Sequence, residues 1–175
     1  MQRMLKLLDD HFEEAIIFVA LSAMSLIIAF QVLMRYGFDA SLSWSEEISR
    51  YLFIWLIYIG ISYGVKKQAH VAVTALDLWL SPRQIQILRL LSAVVFLVFA
   101  ILIFYYGREV CSKIGRLGQQ SPAMDIPMWM VYAAVPTGFG LTCIRLVQLI
   151  YRQLKDWNKP VEPPQPSGNS DPILL

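Results

Sequence analysis

Four long apolar stretches, separated by polar segments, dominate the sequence. Each runs for about 15 to 20 residues without an Asp, Glu, Lys or Arg. An α-helix needs about 20 residues to cross the hydrocarbon core of a bilayer, which is about 30 Å thick. The pattern therefore predicts an all-α membrane protein with four membrane-spanning helices, near residues 15–34, 43–65, 82–106 and 126–150.

Polar residues before the second and third stretches predict where those helices begin. Ser43 and Glu46 stand three residues apart and fit a capping box, in which a hydroxyl and a carboxylate satisfy free backbone N–H groups. Ser81 and Gln84 have the same spacing, and Pro82 between them takes the first helical position, where proline is favoured. The second helix is therefore expected to start near Ser43 and the third near Pro82.

Glycine and proline positions predict where the helices end or bend. Gly37 follows the first stretch and Gly107 follows the third, and glycine accepts the left-handed conformation that often ends a helix. Pro136 lies inside the fourth stretch, and an internal proline kinks a helix because it removes a backbone hydrogen bond. The first and third helices are thus expected to end at these glycines, and the fourth to bend.

Two further segments differ from the spans. The first is residues 68–80, which are rather apolar. Polar residues recur there at helical spacing, namely Lys66 just before the segment, His70, Thr74 and Asp77. This pattern predicts a short interfacial helix lying along the membrane. Residues 160–175 are rich in proline and read as a disordered tail. The chain is therefore divided into a four-helix membrane domain, residues 1–159, and a tail, residues 160–175.

The distribution of Lys and Arg predicts the orientation of the helices. Eight of these residues flank the side that holds both termini and the loop between the second and third helices, and four flank the opposite side. Cytoplasmic loops carry the excess of positive charge, so both termini are expected in the cytoplasm. The residues expected on the opposite, outer face include Arg35, Asp39, Gln120 and Asp125.

Composition and charge exclude several classes of function. The chain is 57% hydrophobic and 16% charged, whereas soluble domains average about 45–50% apolar and about 25% charged residues. A net charge of +2 gives no basis for nucleic-acid binding. Both histidines, His11 and His70, fall outside the spans, and no metal-ligand, nucleotide-loop or catalytic-triad pattern occurs. We therefore expect neither an enzyme nor a bound metal or cofactor.

The second helix concentrates the candidate functional residues. Glu46 and Glu47 lie four and three residues before Arg50, so both pairs can meet on the helix surface. These charges either contact a partner protein or form a plain intrahelical pair, and the sequence leaves both interpretations open. The residues of this helix that make a candidate partner interface are Trp44, Glu46, Glu47, Arg50, Trp55, Gly60 and Gly64.

Small residues and a late arginine have simpler interpretations. Gly60 and Gly64 form a GxxxG pattern, which lets helices approach closely, and an internal neighbour is favoured over an external partner. Gly138 is expected to serve packing beside the kink. Arg145 lies in the cytoplasmic half of the fourth helix, where its long side chain is expected to reach the membrane surface.

Several segments resemble one known family. The second helix opens with Ser-Trp-Ser-Glu-Glu at residues 43–47, and Ala-His-Val follows at residues 69–71. A third matching segment, Gln-Ser-Pro-Ala-Met-Asp-Ile-Pro-Met-Trp, precedes the fourth helix at residues 120–129. Together they are similar to the DctQ-like small membrane subunit of TRAP transporters, and the resemblance covers about residues 10–155.

The resemblance implies a function that spacing alone does not. TRAP systems are sodium-driven importers of organic acids such as C4-dicarboxylates or sialic acid, in the bacterial inner membrane. A large membrane subunit carries the substrate and sodium sites, and a periplasmic protein delivers the substrate. The small subunit is expected to be a scaffold whose partners are the large subunit, the binding protein and membrane lipids, with its outer face in the periplasm.

Two alternatives remain open on the residues alone. A stand-alone four-helix transporter would require functional polar residues in the middle of the spans, and the first and third helices have no ionisable group there. A membrane tether unrelated to transport would make the paired charges and the Ala-His-Val segment incidental.

Overall fold

The computed structural model describes residues 2–40, 42–67, 81–155 and 157. Its helices are α1 (Gln2–Gly37), α2 (Ser43–Lys66), α3 (Pro82–Leu117), α4 (Trp129–Tyr132) and α5 (Ala134–Lys155). Four helical segments are long and apolar enough to cross a membrane: Glu13–Gly37, Ser43–Lys66, Arg83–Leu117 and Trp129–Lys155. The predicted all-helical chain with four apolar spans is confirmed. The predicted interfacial helix (residues 68–80) and tail (residues 160–175) lie outside the described residues.

The spans form a row rather than a closed square bundle. Helix α1 packs on α2, α2 packs on α5, and α5 packs on α3, while the short α4 lies beside α2, α3 and α5. Between the backbones of α1 and α3, which end the row, the described residues make no contact. The order across the row is therefore first, second, fourth and third span. Both broad faces of the row are lined by apolar side chains, many of them exposed.

The core lies between α2, α3 and α5. Ala100, Phe139 and Leu146 are buried there, and the ring centroids of Tyr58 and Phe139 are 6.1 Å apart. Gly138 makes the closest approach of α5 to α2, because a Cβ atom placed on it would lie 2.6 Å from both the Cβ and the backbone oxygen of Tyr58. The packing role expected for Gly138 is thus confirmed.

The third helix is longer than the sequence suggested. It does not end at Gly107 but continues to Leu117, and Gly118 then takes the left-handed conformation with φ 63°. Gly107 serves packing instead, since a Cβ atom there would lie 3.0 Å from Cγ1 of Val135. The prediction that α3 ends at Gly107 was wrong, because the sequence does not show whether a glycine ends a helix or lets another helix pack closely.

The two predicted capping boxes have different outcomes. Gln84 accepts a hydrogen bond of 2.9 Å from the backbone N–H of Ser81, so the box before α3 is confirmed. The box before α2 does not form: Leu42 is the N-cap, and Ser43 is already the first helical residue. The Glu46 carboxylate accepts a hydrogen bond from Gln31 instead.

The remaining helix boundaries follow the sequence with small changes. Helix α1 ends at Gly37 as predicted, but the left-handed residue of the turn is Asp39, with φ 53°. The fourth span is interrupted at Ala133, between α4 and α5. Pro136 lies three residues later, and its missing N–H and its ring are incompatible with a regular helix through the preceding turn. This interruption agrees with the bend predicted from Pro136.

Candidate functional site

Polar side chains of α2 form two clusters, one near each end of the helix. The loop anchor comprises Glu47, Tyr51, Ser121 and Ala123, at the start of α2. The buried charge cluster comprises Glu13, Ser62, Lys66 and Arg145, near the end of α2. The first contains residues that the sequence singled out, whereas the second was not anticipated.

In the loop anchor, Glu47 attaches the segment between α3 and α4 to α2. The Tyr51 hydroxyl donates to its Oε1, the Ala123 backbone N–H donates to its Oε2 at 3.0 Å, and the Ser121 hydroxyl is a further partner. Ser121 is only 2% exposed, and its backbone N–H donates to the Ile126 carbonyl at 2.9 Å. Glu47 therefore positions a loop that lies 76 residues away in the sequence.

The ion pairs that the spacing allows between Arg50 and the neighbouring glutamates do not form. Both oxygens of Glu47 bind the loop anchor, and Glu46 accepts a 2.8 Å hydrogen bond from Gln31 of α1. Among the described residues, the Arg50 guanidinium makes no hydrogen bond or ion pair. It lies instead beside a groove of about 530 Å³, whose walls include Glu46, Tyr51, Ile54, Tyr58, Met128 and Val135.

The buried charge cluster joins three spans. Glu13 of α1 is 1% exposed, and its Oε1 accepts hydrogen bonds of 2.9 Å from Ser62 of α2 and from Nε of Arg145 of α5. Its Oε2 lies 3.6 Å from Nζ of Lys66. Since α1 has no backbone contact with α5, this carboxylate is a direct link between the first and fourth spans.

The expectation that Arg145 reaches the membrane surface was wrong. Arg145 is 8% exposed and also donates to Gln148 at 3.0 Å. A signal for this was present, because Arg145 is the only charged residue between Asp125 and Arg152. Charged residues inside spans normally face the protein interior and pair with an opposite charge. The acidic residues at the start of the first span were therefore the partners to consider.

A second, more exposed pair accompanies the buried charge cluster. Glu14 accepts a hydrogen bond of 3.0 Å from the Tyr63 hydroxyl, and Nζ of Lys67 lies 3.0 Å from the same oxygen. The Glu14 carboxylate holds the pKa of Lys67 above its usual range. Because Lys67 is exposed, this contact contributes far less to stability than the buried one.

The glycine pair of α2 does not pack inside the chain. In the part of the protein that the structure describes, a Cβ atom on Gly60 or Gly64 would meet nothing within 4 Å. The interpretation that favoured an internal neighbour is therefore wrong. Of the two tryptophans on this helix, Trp44 is 38% exposed and Trp55 is half-buried. The glycine pair thus leaves a shallow, open strip on α2.

The four residues expected on the outer face lie at one end of the row. Arg35 is in the last turn of α1, and Asp39 follows in the turn. Gln120 and Asp125 are exposed in the loop that Glu47 holds, so they lie at the same end as the start of α2. Which side of the membrane this end faces stays a prediction.

The clusters suit assembly better than chemistry. Across residues 2–40, 42–67, 81–155 and 157, no group of three or more His, Cys, Asp or Glu side chains is arranged to hold a metal ion. The carboxylates of both clusters are engaged in contacts that fix a loop or join helices. Arg50, the groove beside it and the open glycine strip are the features of α2 that stay available to another molecule.

Comparison with known proteins gives a consistent result. Residues 24–156 match the family described as tripartite ATP-independent periplasmic transporters, DctQ component. A putative TRAP transporter small permease protein of Haemophilus influenzae is 34% identical over 131 residues, which cover 74% of this chain and 80% of the relative. The sialic acid TRAP transporter small permease protein SiaQ of Vibrio cholerae is 26% identical over 158 residues, 87% of each chain.

A further relative is much longer. The isethionate TRAP transporter permease protein DctMQ of Oleidesulfovibrio alaskensis is 29% identical over 155 residues. The matched region covers 85% of this chain but only 24% of that protein. The similarity to DctMQ is therefore confined to about a quarter of its length.

Proposed function

Because the chain belongs to the DctQ component family of tripartite ATP-independent periplasmic (TRAP) transporters, we propose that it is the scaffold subunit of a sodium-driven importer of organic acids. It is a multi-pass protein of the bacterial inner membrane. Relatives are named for sialic acid and for C4-dicarboxylates, which supports an organic acid such as one of these as substrate. The chain acts without a cofactor and is not an enzyme.

The row of spans is the observation that carries the scaffold role. A transporter needs a polar site that is reached alternately from the two sides, typically at broken helices near the middle of the bilayer. Among the described residues, the spans are in open order, and the buried charges Glu13 and Arg145 pair with each other near one end rather than line a site in the middle of the bilayer. Only 6% of the apolar segment of α1, and 11% of those of α2 and α3, is buried inside the chain. Wide apolar faces are thus left for a partner and for lipids.

The partner surface that we assign to the large membrane subunit is the open side of α2. The glycine strip lets a helix of the partner approach closely, because none of the described side chains lies within 4 Å of a Cβ atom added there. Arg50, which makes no direct hydrogen bond or ion pair among the described residues, places a positive charge beside the groove at the other end of the helix. The proposed contact residues are Trp44, Glu46, Glu47, Arg50, Trp55, Gly60 and Gly64, of which Glu47 acts by holding the loop. Arg50 and the two glycines lie toward the open side, whereas the two tryptophans lie more than a third of a turn away and extend the proposed contact to a second side of the helix.

In the proposed orientation, both termini and the interfacial segment at residues 68–80 lie on the cytoplasmic side. Arg35, Asp39, Gln120 and Asp125 then face the periplasm, where the binding protein arrives. The bias of Lys and Arg, eight against four, supports this orientation.

The orientation predicts which thiol is reached from outside. Cys111 lies on α3 beyond Gly107, with its sulfur 3.4 Å from the Trp129 carbonyl oxygen, whereas Cys143 lies within the fourth span. A membrane-impermeant maleimide added to cells with a permeabilised outer membrane should label Cys111 and spare Cys143. Cys111→Ser should abolish the labelling. Labelling of Cys111 only after the inner membrane is opened would invert the orientation.

The function itself is tested by reconstitution. Purified alone into liposomes with an inward sodium gradient and a sialic-acid binding protein, the chain should take up no sialic acid. Addition of the large subunit should produce uptake that requires both the gradient and the binding protein, and parallel assays with isethionate and succinate identify the acid. Sodium-driven uptake by the small chain alone would support the stand-alone transporter and refute the scaffold role.

A further inference from the structure

The part of α3 beyond Gly107 carries a cluster of positive charge, which we call the basic ridge (Arg108, Lys113 and Arg116). All three side chains are exposed. Lys113 pairs with Glu109 at 2.8 Å, one helical turn away. Within the described ranges, Arg108 and Arg116 have no hydrogen bond and no ion pair. The ridge therefore presents two arginines without a direct acidic partner in the described part of the protein, while Glu109 in the same groove offsets Lys113.

The side of α3 next to the arginine face packs on Trp129. Gly115 packs against Trp129, where an added Cβ atom would lie 3.7 Å from the Cβ of that tryptophan, and the Cys111 sulfur contacts the Trp129 carbonyl oxygen. Arg108 and Arg116 are eight residues apart, and Ser112 lies midway, so the three share a face of the helix. A shallow groove of about 380 Å³ runs along the ridge from Tyr105 to Arg116.

Helix geometry places the end of the ridge above the membrane. Arg89 and Arg108 bracket 18 uncharged residues. At 1.5 Å per residue they are about 28 Å apart, close to the thickness of the hydrocarbon core, about 30 Å. Arg116 lies about 12 Å farther along the axis, whereas the headgroup layer on each side is only about 5–8 Å thick. Arg108 is thus at headgroup level, and Arg116 projects into water.

The placement of these charges runs against the general bias of membrane proteins. Lys and Arg are depleted outside the cytoplasmic side, and in the proposed orientation only four lie in the periplasm. Three of those four form the ridge, and the fourth is Arg35 of α1. A concentration of this kind on one exposed helix face produces a local positive potential, which attracts a negatively charged partner and accelerates its association.

We propose that the basic ridge docks a soluble protein through a cluster of carboxylates on that protein. This rests on the proposed function, in which the soluble partner is the periplasmic binding protein. The height of Arg116 above the headgroups favours a protein partner over a phospholipid, since a lipid phosphate would reach Arg108 alone. The ridge adds a docking surface on the small subunit, separate from the α2 surface assigned to the large subunit.

The test measures association of the binding protein with the complex of this chain and the large subunit in nanodiscs. Arg108→Glu/Arg116→Glu should lower the association rate constant by about tenfold or more at low salt and flatten its dependence on salt. The matched control is Arg152→Glu/Lys155→Glu at the end of α5, with the same charge change on the predicted cytoplasmic side, and it should leave both quantities unchanged. Thermal unfolding of each purified variant checks that the exposed substitutions leave the fold intact.

The outcomes separate the ridge from the proposed function. If the unmodified complex binds the binding protein and the α3 variant binds it with the same rate constant, the docking proposal for the basic ridge is wrong. The scaffold role is then unaffected. A complex that binds no binding protein at all would refute the proposed function. If liposomes of phosphatidylglycerol compete for the ridge and the binding protein is unaffected by the substitutions, the ridge is a lipid site and the docking proposal is wrong.

Discussion

Replacing Arg145 with alanine is expected to destabilise the protein by about 3–5 kcal/mol, as breaking a buried ion pair does elsewhere. The substitution leaves the Glu13 carboxylate, which is 1% exposed, without its shortest charged contact. Because Glu13 links α1 to the rest of the row, α1 should separate first. Denaturant unfolding of the detergent-solubilised protein measures the loss, and proteolysis between α1 and α2 reports the separation.

Two further variants sharpen this prediction. Lys67→Ala removes an exposed partner of Glu14 and should cost no more than about 1 kcal/mol. The double variant Glu13→Leu/Arg145→Leu removes both charges, so it should be less damaging than the sum of the single substitutions. If Arg145→Ala is as mild as Lys67→Ala, or if the double variant is strictly additive, the cluster does not hold the helices together.

Gly138→Ala should be destabilising by about 1–3 kcal/mol, although alanine is the better helix former. Its Cβ atom would lie 2.6 Å from the Cβ and the carbonyl oxygen of Tyr58, a separation that real side chains do not reach. Helices α2 and α5 must therefore move apart, which loosens the contact of Phe139 with Tyr58. Equilibrium unfolding in mixed micelles measures the change in the free energy of unfolding.

The control for Gly138 is Gly60, a glycine of α2 that has open space around it. Gly60→Ala meets nothing within 4 Å in the described structure and gains helix propensity, so it should stabilise the isolated chain by up to about 1 kcal/mol. The two substitutions thus have opposite expected signs. Equal effects at the two positions would show that the close approach at Gly138 does not limit the packing of α2 and α5.

The sequence predicted the spans well because a single physical requirement determines them. A helix in hydrocarbon must be apolar over about 20 residues, and a run such as residues 15–34 has no other explanation. The capping box of Ser81 and Gln84 before α3 was also predicted correctly, whereas the same spacing at Ser43 and Glu46 forms no box because Glu46 binds Gln31 of α1. The prediction for Gly107 was wrong, because glycine both ends helices and lets them approach.

The contacts between helices could not be predicted from local spacing. Glu13 and Arg145 are 132 residues apart, and only the packing of α1, α2 and α5 brings them together. The same limit affected the candidate site, where the sequence placed Glu46, Glu47 and Arg50 on one helix and left their pairing open. The glutamates bind Gln31 and the Ala123 loop rather than Arg50, and both contacts come from other parts of the chain.

The order α1, α2, α5, α3, in which only neighbouring spans touch, makes the protein wide in the plane of the membrane. With helix axes about 8–10 Å apart and a helix diameter of about 10 Å, four spans side by side measure roughly 35–40 Å across. Tilting so broad a slab would drive apolar side chains at one edge into the headgroups, and each ångström of mismatch costs a fraction of a kcal/mol. A large subunit bound along this slab, as proposed above, is therefore expected to keep a fixed angle to the bilayer.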